Sequence, residues 1–391
     1  MTAPAAQPPK SLLGRHRILA PTAGVYVSPI CLGGMSFGDA WKSFMGECSK
    51  ETTFEILDYF HDQGGNFIDT AASYQNEESE QWIGEWMASR GRRDEIVLAT
   101  KYTNAYKSYL GTQVQQSNYG GNSRKSLHVS VEQSLKKLQT NYIDLLYVHY
   151  FDFSTKIPEM MHSLHHLVAQ GKVLYLGISD TPAWIVVKAN CYAREHSLTP
   201  FSVYQGRWSA AERDFEREII PMAQDEGMAL MPWGALGGGY FKSPDETKDA
   251  GGRTLNVSTG KEADVSVVLD RIAKEKNTLI TSVALAYVLH KAPYVFPILG
   301  GRKVSHLKSN IEALRLRLTP KDIDDIESAY DFQIGFPHNF TTGANKAPRG
   351  PEDIVFTKRL GHFDYVQSPQ PIVPHQGSLG DAITTSFLSE N

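Results

Sequence analysis

Eight short apolar runs, each followed by a longer amphipathic stretch, constrain the fold of this chain more than any other feature. The runs are SPICLGG, NFIDT, EIVLATK, YIDLLYVH, VLYLGIS, FSVYQG, MALMPWG and YVFPILG, and the stretches that follow them cover 51–63, 78–89, 125–138, 157–169, 182–195, 212–225, 263–275 and 303–314. Continuous apolar runs are typical of parallel strands buried on both faces, and intervening helices indicate βαβ winding. Eight such units predict a closed (β/α)8 barrel, an α/β fold. The alternative is an open doubly wound sheet, but its G-x-G-x-x-G turn is absent, because CLGGMSFG has a different spacing.

Three segments lie outside this alternation. RHRILAPTAGVYVS predicts a hairpin at the bottom of the barrel, and residues 234–262 predict a long functional loop after the seventh strand. The third is the Pro-rich and aromatic-rich end of the chain. We therefore predict a flexible N-terminus over 1–15, one barrel over 16–332 and a C-terminal extension over 333–391, disordered from about residue 375.

Composition excludes several classes of function. Among 391 residues the formal net charge is −4, which gives no reason to expect nucleic acid or an anionic membrane as a partner. The three cysteines are far apart, and no apolar run reaches the length of a membrane span or a secretion signal. His162, His165 and His166 have helical spacing, but helices lie outside a barrel, so we predict no metal ion. We expect a cytoplasmic protein, and the sequence leaves its oligomeric state open.

Four titratable residues are predicted to meet at one rim of the barrel, where the strands end. Asp69 ends the second strand, Tyr74 follows it, and Lys101 and His149 end the third and fourth strands. Because catalytic groups of such barrels lie at the C-terminal ends of strands, these four are candidate catalytic residues. A barrel glycosidase would need paired carboxylates at this rim, and the fourth and seventh strands end in His149 and Trp233 instead.

The combination predicts a proton donor for a carbonyl oxygen. A nearby ammonium stabilises a phenolate, so Lys101 is expected to lower the pKa of Tyr74, with Asp69 compensating the buried lysine. A neutral histidine beside this tyrosine suits a carbonyl on which negative charge develops. Since no side chain delivers hydride, we expect a nicotinamide cofactor.

These residues and their surroundings resemble the aldo-keto reductases. The matching motifs, in order, are GNFIDTAASY, LATK, DLLYVH, QGKVLYLGIS, the Gln of VYQ and ILGGRKVSHLKSNIEAL, over about residues 30–330. VHYFD, GISDTPAW, GFPHNF and FDYV are similar to the fungal branch of aryl-alcohol dehydrogenases and norsolorinic acid reductases. The resemblance implies reversible NADPH-dependent reduction of an aldehyde or ketone, with Tyr74 as general acid and His149 orienting the carbonyl. An alternative is an NADP-binding regulatory subunit with little turnover.

The resemblance also implies a set of cofactor-binding residues. These are Gly34, Met35, Asp69, Ser179, Asp180, Gln205, Trp233, Gly234, Ala235, Leu236, Gly238, Arg302, Lys303, His306 and Asn310. Ser179, Asp180 and Gln205 would hold the carboxamide, and Trp233 would stack on the nicotinamide. Gly234 to Gly239 would follow the pyrophosphate.

The sequence departs from the family pattern at two places. Asp180 stands where most members have Asn, so it can accept but not donate a hydrogen bond. At the 2′-phosphate, Gly300 and Gly301 stand where a Lys and a Ser are common, and His306 replaces a common Arg, which leaves Arg302 and Lys303 as the candidate cations. Aromatic residues expected near the mouth would suit an aromatic carbonyl substrate: Trp41, Tyr106, Tyr150, Phe151 and Trp208.

Overall fold

The computed structural model of the protein describes residues 6–243 and 260–381. Its strands are β1 Arg17–Ala20, β2 Ala23–Val27, β3 Cys31–Gly33, β4 Phe67–Asp69, β5 Val97–Tyr102, β6 Ile143–Val148, β7 Val173–Ser179, β8 Val203–Arg207, β9 Ala229–Trp233 and β10 Ile298–Gly300. Its helices are α1 Lys42–Met45, α2 Lys50–Asp62, α3 Glu78–Arg90, α4 Arg124–Lys137, α5 Ile157–Ala169, α6 Ala183–Glu195, α7 Ile219–Asp225, α8 Lys261–Glu275, α9 Ile280–Lys291, α10 Val304–Ala313, α11 Pro320–Glu327 and α12 His338–Thr342.

The eight strands from β3 to β10 form one parallel sheet in the order β10-β3-β4-β5-β6-β7-β8-β9. A parallel bridge between Leu230 of β9 and Val295, just before β10, joins the two ends. The predicted (β/α)8 barrel is therefore confirmed. Helices between the strands cover its outside, so both faces of the sheet are buried, as the continuous apolar runs require.

The N-terminal hairpin closes the bottom of the barrel, as predicted. Strands β1 and β2 pair antiparallel. Leu19 and Val27 of the hairpin pack against Phe67, Val97 and Phe296 in one buried cluster. This plug leaves the opposite rim, where the strands end, as the open mouth.

Two helical predictions need correction. Helix α9 is absent from the sequence-based assignment, which has a single helix between the last two strands; α8 and α9 both lie there. Helix α7 begins at Ile219, seven residues later than 212, because a short 3-10 turn at Asp214–Glu216 precedes it. The predicted loop over 234–262 falls largely on residues 244–259, which lie outside the described residues.

The C-terminal extension runs along the outside of the barrel and returns to its bottom. Arg217 donates hydrogen bonds to the backbone oxygen of Gln333, and Arg15 donates to those of Leu379 and Asp381. Predicted disorder from about residue 375 falls mainly on 382–391, outside the described residues. The domain boundaries remain a prediction, and Leu13, within the predicted flexible N-terminus, is fully buried. In the described part of the chain, no helix is long and apolar enough to cross a bilayer.

Candidate active site

The strand register brings three of the four candidate catalytic residues to one rim. Asp69 is the last residue of β4, Lys101 is the next-to-last residue of β5, and His149 directly follows β6. These three strands are neighbours in the parallel sheet. Their C-terminal ends therefore present the three side chains to the same mouth.

Lys101 can lie near the end of a buried strand because two acceptors compensate its charge. Its Nζ lies 2.5 Å from Oδ1 of Asp69 and 2.8 Å from the backbone oxygen of Thr70. The other carboxylate oxygen of Asp69 accepts a hydrogen bond of 3.0 Å from Nε2 of Gln205. Lys101 is 1% exposed and Asp69 2%, so this is a buried ion pair. Burial disfavours the ammonium, but Asp69 and Tyr74 outweigh it and raise the pKa of Lys101.

Tyr74 lies beside this ion pair. Nζ of Lys101 is 4.9 Å from the centroid of the Tyr74 ring. The expected net lowering of the pKa of Tyr74 is wrong: burial raises this pKa above its ordinary value, although the charge of Lys101 opposes the rise. The phenol is therefore fully protonated at neutral pH, and Lys101 is the cation that acts on its hydroxyl.

A strained turn after Tyr74 holds the tyrosine in place. Gln75, Asn76 and Glu77 have φ values of 53°, 51° and 85°, a left-handed run that non-glycine residues rarely adopt. Oε1 of Gln75 accepts from the backbone N–H of Trp41 at 2.7 Å, and Oδ1 of Asn76 accepts from Nε1 of Trp41 at 3.0 Å. The Trp41 ring also packs edge-on against Tyr74, with centroids 6.2 Å apart. Sequence reasoning missed Gln75 and Asn76, because nothing in SYQNE marks a left-handed turn.

His149 completes the cluster as an uncharged ring. It packs edge-on against Tyr74, with ring centroids 6.0 Å apart. Burial, with a further contribution from the charge of Lys101, lowers the pKa of His149 to about 3. A ring that is neutral at physiological pH can donate one hydrogen bond to a substrate oxygen without adding charge.

The residues expected to hold the carboxamide form a second hydrogen-bonded group on the same rim. Oγ of Ser179 donates to Asp180 at 2.9 Å, and Nε1 of Trp233 lies 3.3 Å from the other oxygen of that carboxylate. Gln205 connects this side of the rim to Asp69 through the hydrogen bond described above. Burial raises the pKa of Asp180 despite these donors.

Most of the remaining predicted cofactor residues line one groove of about 430 Å³ beside the mouth. Those that line it are Gly234, Ala235, Leu236, Gly238, Arg302, His306 and Asn310. Along its wall, Gly234, Gly238 and Gly239 all have positive φ values, of 73°, 61° and 96°. Glycine alone adopts such a run without strain, and the missing side chains leave the backbone open to a phosphate chain.

Three predicted residues lie outside this groove. Lys303 is exposed at the N-cap of α10 and does not line it. Gly34 and Met35 form a short turn after β3, where the backbone oxygen of Met35 accepts from Gln75. Residues that line the groove but were not predicted include Leu279 and Thr281. A larger groove of about 690 Å³ at the bottom of the barrel contains none of the predicted residues.

The aromatic residues expected near the mouth divide into two groups. Trp41 contacts Tyr74, and Tyr150 is 39% exposed with its ring 6.5 Å from His149. Tyr106 and Trp208 are buried, with Trp208 stacked on Phe215, and Phe151 is partly buried against the core with its ring edge-on to Phe153. Trp41 and Tyr150 are therefore the better candidates for contact with a substrate.

The three histidines at helical spacing lie away from the rim. His162 and His165 of α5 hydrogen-bond to Tyr192 and Thr199. Among residues 6–243 and 260–381, no three metal-ligating side chains are grouped closely enough to hold an ion.

Comparison with known proteins identifies the family of this chain. Residues 29–331 match the family described as the aldo/keto reductase family. The chain belongs to the aldo/keto reductase family. This aldo/keto reductase is 63% identical to aryl-alcohol dehydrogenase GME11368 of Pestalotiopsis microspora over 95% of this chain and 96% of that protein. It is 56% identical to norsolorinic acid reductase B of Dothistroma septosporum, over 92% and 94% of the two chains. It is 55% identical to the putative aryl-alcohol dehydrogenase AAD14 of Saccharomyces cerevisiae, over 85% and 91%.

The family and these relatives establish the class of reaction. This aldo/keto reductase is an oxidoreductase that acts on carbonyl or alcohol groups, and its family uses NAD(P)H. The resemblance recognised in the sequence, including its fungal branch, is confirmed.

Proposed function

We propose that this aldo/keto reductase reduces an aromatic aldehyde or ketone to the alcohol with NADPH, reversibly, and that Tyr74 is the proton donor. The observation that carries the proposal is the buried Asp69–Lys101 ion pair beside the Tyr74 ring. A buried ion pair costs desolvation energy and is weak evidence for stability alone. The position of this ion pair next to the Tyr74 phenol at the barrel mouth favours a role in catalysis over a role in stability alone.

Each residue of the cluster has a defined part in the proposed reaction. When bound, NADPH supplies the hydride that reaches the carbonyl carbon. His149 donates a hydrogen bond to the carbonyl oxygen and orients it toward Tyr74. As negative charge develops on that oxygen, the Tyr74 hydroxyl donates its proton, and the Lys101 ammonium stabilises the phenolate that remains. Asp69 keeps Lys101 charged and in place.

The raised pKa of Tyr74 agrees with a proton donor for reduction. A phenol whose folded pKa is raised stays protonated through the neutral range, so it is ready to donate. Alcohol oxidation needs the phenolate as base. The oxidation rate is therefore expected to rise with pH on the alkaline side, whereas the reduction rate falls there.

The groove beside the mouth fits a phosphorylated dinucleotide. Its glycine wall lacks side chains, and Arg302 and His306 lie together at the N-terminal end of α10. A guanidinium and a helix N-terminus both favour a phosphate. We therefore assign the 2′-phosphate of NADPH to Arg302 and His306, without Lys303.

The substrate class rests on two aromatic side chains. Trp41 and Tyr150 flank Tyr74 and His149. Solvent-accessible aromatic rings beside the reacting groups, one partly exposed (Trp41) and one exposed (Tyr150), favour a planar substrate. The relatives named as aryl-alcohol dehydrogenases agree with this assignment.

Tyr74→Phe tests the proposal, since it removes only the hydroxyl. We expect reduction to fall by about 10²-fold or more, which is the usual contribution of general acid catalysis. Affinity for NADPH should change less than about twofold, because the hydroxyl is assigned to the substrate. Stopped-flow oxidation of prebound NADPH by an aromatic aldehyde measures the first quantity, and fluorescence titration measures the second.

A matched control is Tyr142→Phe. The Tyr142 hydroxyl hydrogen-bonds to Asp94 at 2.8 Å, before β6 and far from the mouth. This variant should keep the wild-type rate. Unchanged turnover in Tyr74→Phe would remove Tyr74 from the mechanism. Tight NADPH binding by the wild-type protein with no turnover across a broad carbonyl panel would instead support a regulatory subunit.

A further inference from the structure

The ring of His149 has a hydrogen-bonding partner that the proposed mechanism does not use. Nδ2 of Asn104 lies 3.1 Å from Nδ1 of His149. Asn104 follows β5, three residues after Lys101, so one short segment supplies both the ammonium and this amide. Asn104 is partly exposed, and its amide nitrogen faces Nδ1 of His149, which leaves Nε2 as the ring nitrogen available to a substrate.

A strained backbone places Asn104 against the histidine. Thr103 has a φ of 100°, which is a genuine outlier for a β-branched residue. Its Oγ1 accepts hydrogen bonds from the backbone N–H of His149 at 3.3 Å and from Nδ2 of Asn122 at 3.0 Å. Strain of this kind persists only where surrounding contacts enforce it, and it concentrates at functional sites.

Asn122 joins the two loops that carry this contact. It is fully buried and also donates to the backbone oxygen of Tyr150 at 3.0 Å. Its backbone N–H and side-chain oxygen pair with Asp152 in two hydrogen bonds of 2.7 Å each. The loop after β5 and the loop after β6 are thus held in one arrangement, with Asn104 facing His149.

The direction of the hydrogen bond determines where the histidine carries its proton. In a neutral imidazole one nitrogen is a donor and the other an acceptor. An amide N–H that donates to Nδ1 requires that nitrogen to be the acceptor, so the proton is on Nε2. His149 is neutral, so its Nε2–H is the single donor that the ring can offer to a carbonyl oxygen.

We propose that Asn104 is a positioning residue: by donating to Nδ1 of His149, it selects the tautomer whose Nε2–H binds the substrate carbonyl oxygen. This inference rests on the proposed function, in which His149 orients the carbonyl. Asn104 itself touches neither substrate nor cofactor in this assignment. Its effect on catalysis passes through His149.

The test is Asn104→Asp, which keeps the shape of the side chain and removes its donor. A carboxylate can only accept, so it favours the proton on Nδ1 and leaves Nε2 without one. The measurements are made about two pH units above the ordinary pKa of histidine, where the ring stays neutral. The matched control is Asn141→Asp, an exposed asparagine in the loop between α4 and β6.

Nitrogen-15 spectra of the full-length protein, with and without NADPH, report the tautomer directly. The His149 signals are assigned by their loss in His149→Gln. We expect the proton on Nε2 in the wild-type protein and in Asn141→Asp, and on Nδ1 in Asn104→Asp. A wild-type ring with its proton on Nδ1, or an unchanged tautomer in Asn104→Asp, would overturn the proposal.

Kinetics separate positioning from general structural damage. We expect kcat for reduction to fall by about 10²-fold in Asn104→Asp, the size found when one preorganised donor is lost. The dissociation constant for NADPH should stay within about twofold. In the His149→Gln background the same change should cost less than about twofold, because its effect passes through the histidine.

An equal loss in both backgrounds would mean a structural role and would overturn the proposal. The spectra also separate this inference from the proposed function. If no carbonyl compound is reduced at all, the proposed function fails, whereas the tautomer change in Asn104→Asp is still expected.

Discussion

Lys101→Met is the perturbation that most directly tests the link between stability and catalysis at the barrel mouth. Methionine matches the lysine side chain as far as Cε and removes the charged Nζ. It deletes the hydrogen bonds to Asp69 and to the backbone oxygen of Thr70. Asp69 then keeps a single donor, Gln205, for a carboxylate that is 2% exposed.

The size of both effects can be estimated from the structure. Removing one partner of a buried ion pair costs about 3–5 kcal/mol, out of a total of roughly 5–15 kcal/mol for a folded domain. For catalysis, Nζ of Lys101 lies 4.9 Å from the Tyr74 ring centroid. A unit charge at that distance stabilises a phenolate by about 3 kcal/mol at an effective dielectric constant of about 20. The rate of reduction should therefore fall by about 10²-fold.

The double variant Lys101→Met/Asp69→Asn separates the two effects. With both charges removed, no unpaired carboxylate is left, so we expect it to recover at least about 2 kcal/mol of the lost stability. Its reduction rate should stay low, because no cation stabilises the phenolate. Urea denaturation followed by circular dichroism measures stability, and single-turnover oxidation of NADPH measures the chemical step.

Two results would refute this reasoning. The first is a Lys101→Met protein whose free energy of unfolding lies within about 1 kcal/mol of wild type, since the ion pair would then not be effectively buried. The second is a double variant that regains reduction, since Tyr74 would then not need the ammonium.

Two further predictions concern the cofactor and pH. Arg302→Ala should weaken NADPH binding by about 10-fold to 10²-fold and NADH binding by less than about threefold, as expected for loss of a charge-assisted hydrogen bond. The control is Lys308→Ala, in helix α10, and isothermal titration measures both affinities. Equal losses for the two cofactors would place the 2′-phosphate elsewhere. The pKa of His149 is lowered to about 3 in the folded protein, so below its ordinary value of 6.5 the unfolded state binds the extra proton. The stability contributed by the neutral ring is therefore present above about pH 6.5 and is lost as pH falls toward 3, on the order of 1–2 kcal/mol by about pH 5. In urea denaturation, the free energy of unfolding of His149→Gln should fall less over this range than that of the wild-type protein. An equal fall would mean that His149 is not buried as a neutral ring.

The proximity of the four candidate catalytic residues was predictable because the barrel itself imposes it. Parallel strands in one sheet all end at one rim, so reading the last residues of successive apolar runs gives the groups that meet there. Lys101 was the clearest signal, because a lysine rarely ends a buried run without a partner. The position of Asp69 on the neighbouring strand supplied that partner.

Helix α9 was missed because it lacks an amphipathic pattern. Its sequence, ITSVALAYVLHK, is apolar on nearly every side, and the residues from Ser282 to Val288 are all buried. A helix covered on all sides shows no 3.6-residue alternation of polar and apolar positions, which is the signal that sequence reasoning uses. Strand β10 has only three residues, Ile298–Gly300, whereas the apolar run YVFPILG predicted a longer strand. An apolar run does not mark the residue at which hydrogen bonding between strands begins.

The sign of the Tyr74 pKa shift could not be predicted from the sequence because two effects act on this pKa in opposite directions. Burial disfavours the phenolate and the Lys101 ammonium favours it. A sequence indicates which groups are neighbours, but not how much solvent each loses. In the structure, burial is the larger effect.

Contacts between segments that are distant in the sequence fix the positions of Arg302 and Tyr74. A Cβ added to Gly46 would lie 1.4 Å from Nη1 of Arg302, so the guanidinium packs directly on this glycine, whose φ is 79°. Trp41, at the other end of α1, packs on Tyr74 about 30 residues further along the chain. The segment around α1 thus connects the proposed phosphate end of the cofactor groove to the proposed proton donor. A substitution at Gly46 would displace Arg302, although Gly46 itself lies outside every motif in the sequence. For that reason only the folded structure connects this glycine with the cofactor groove.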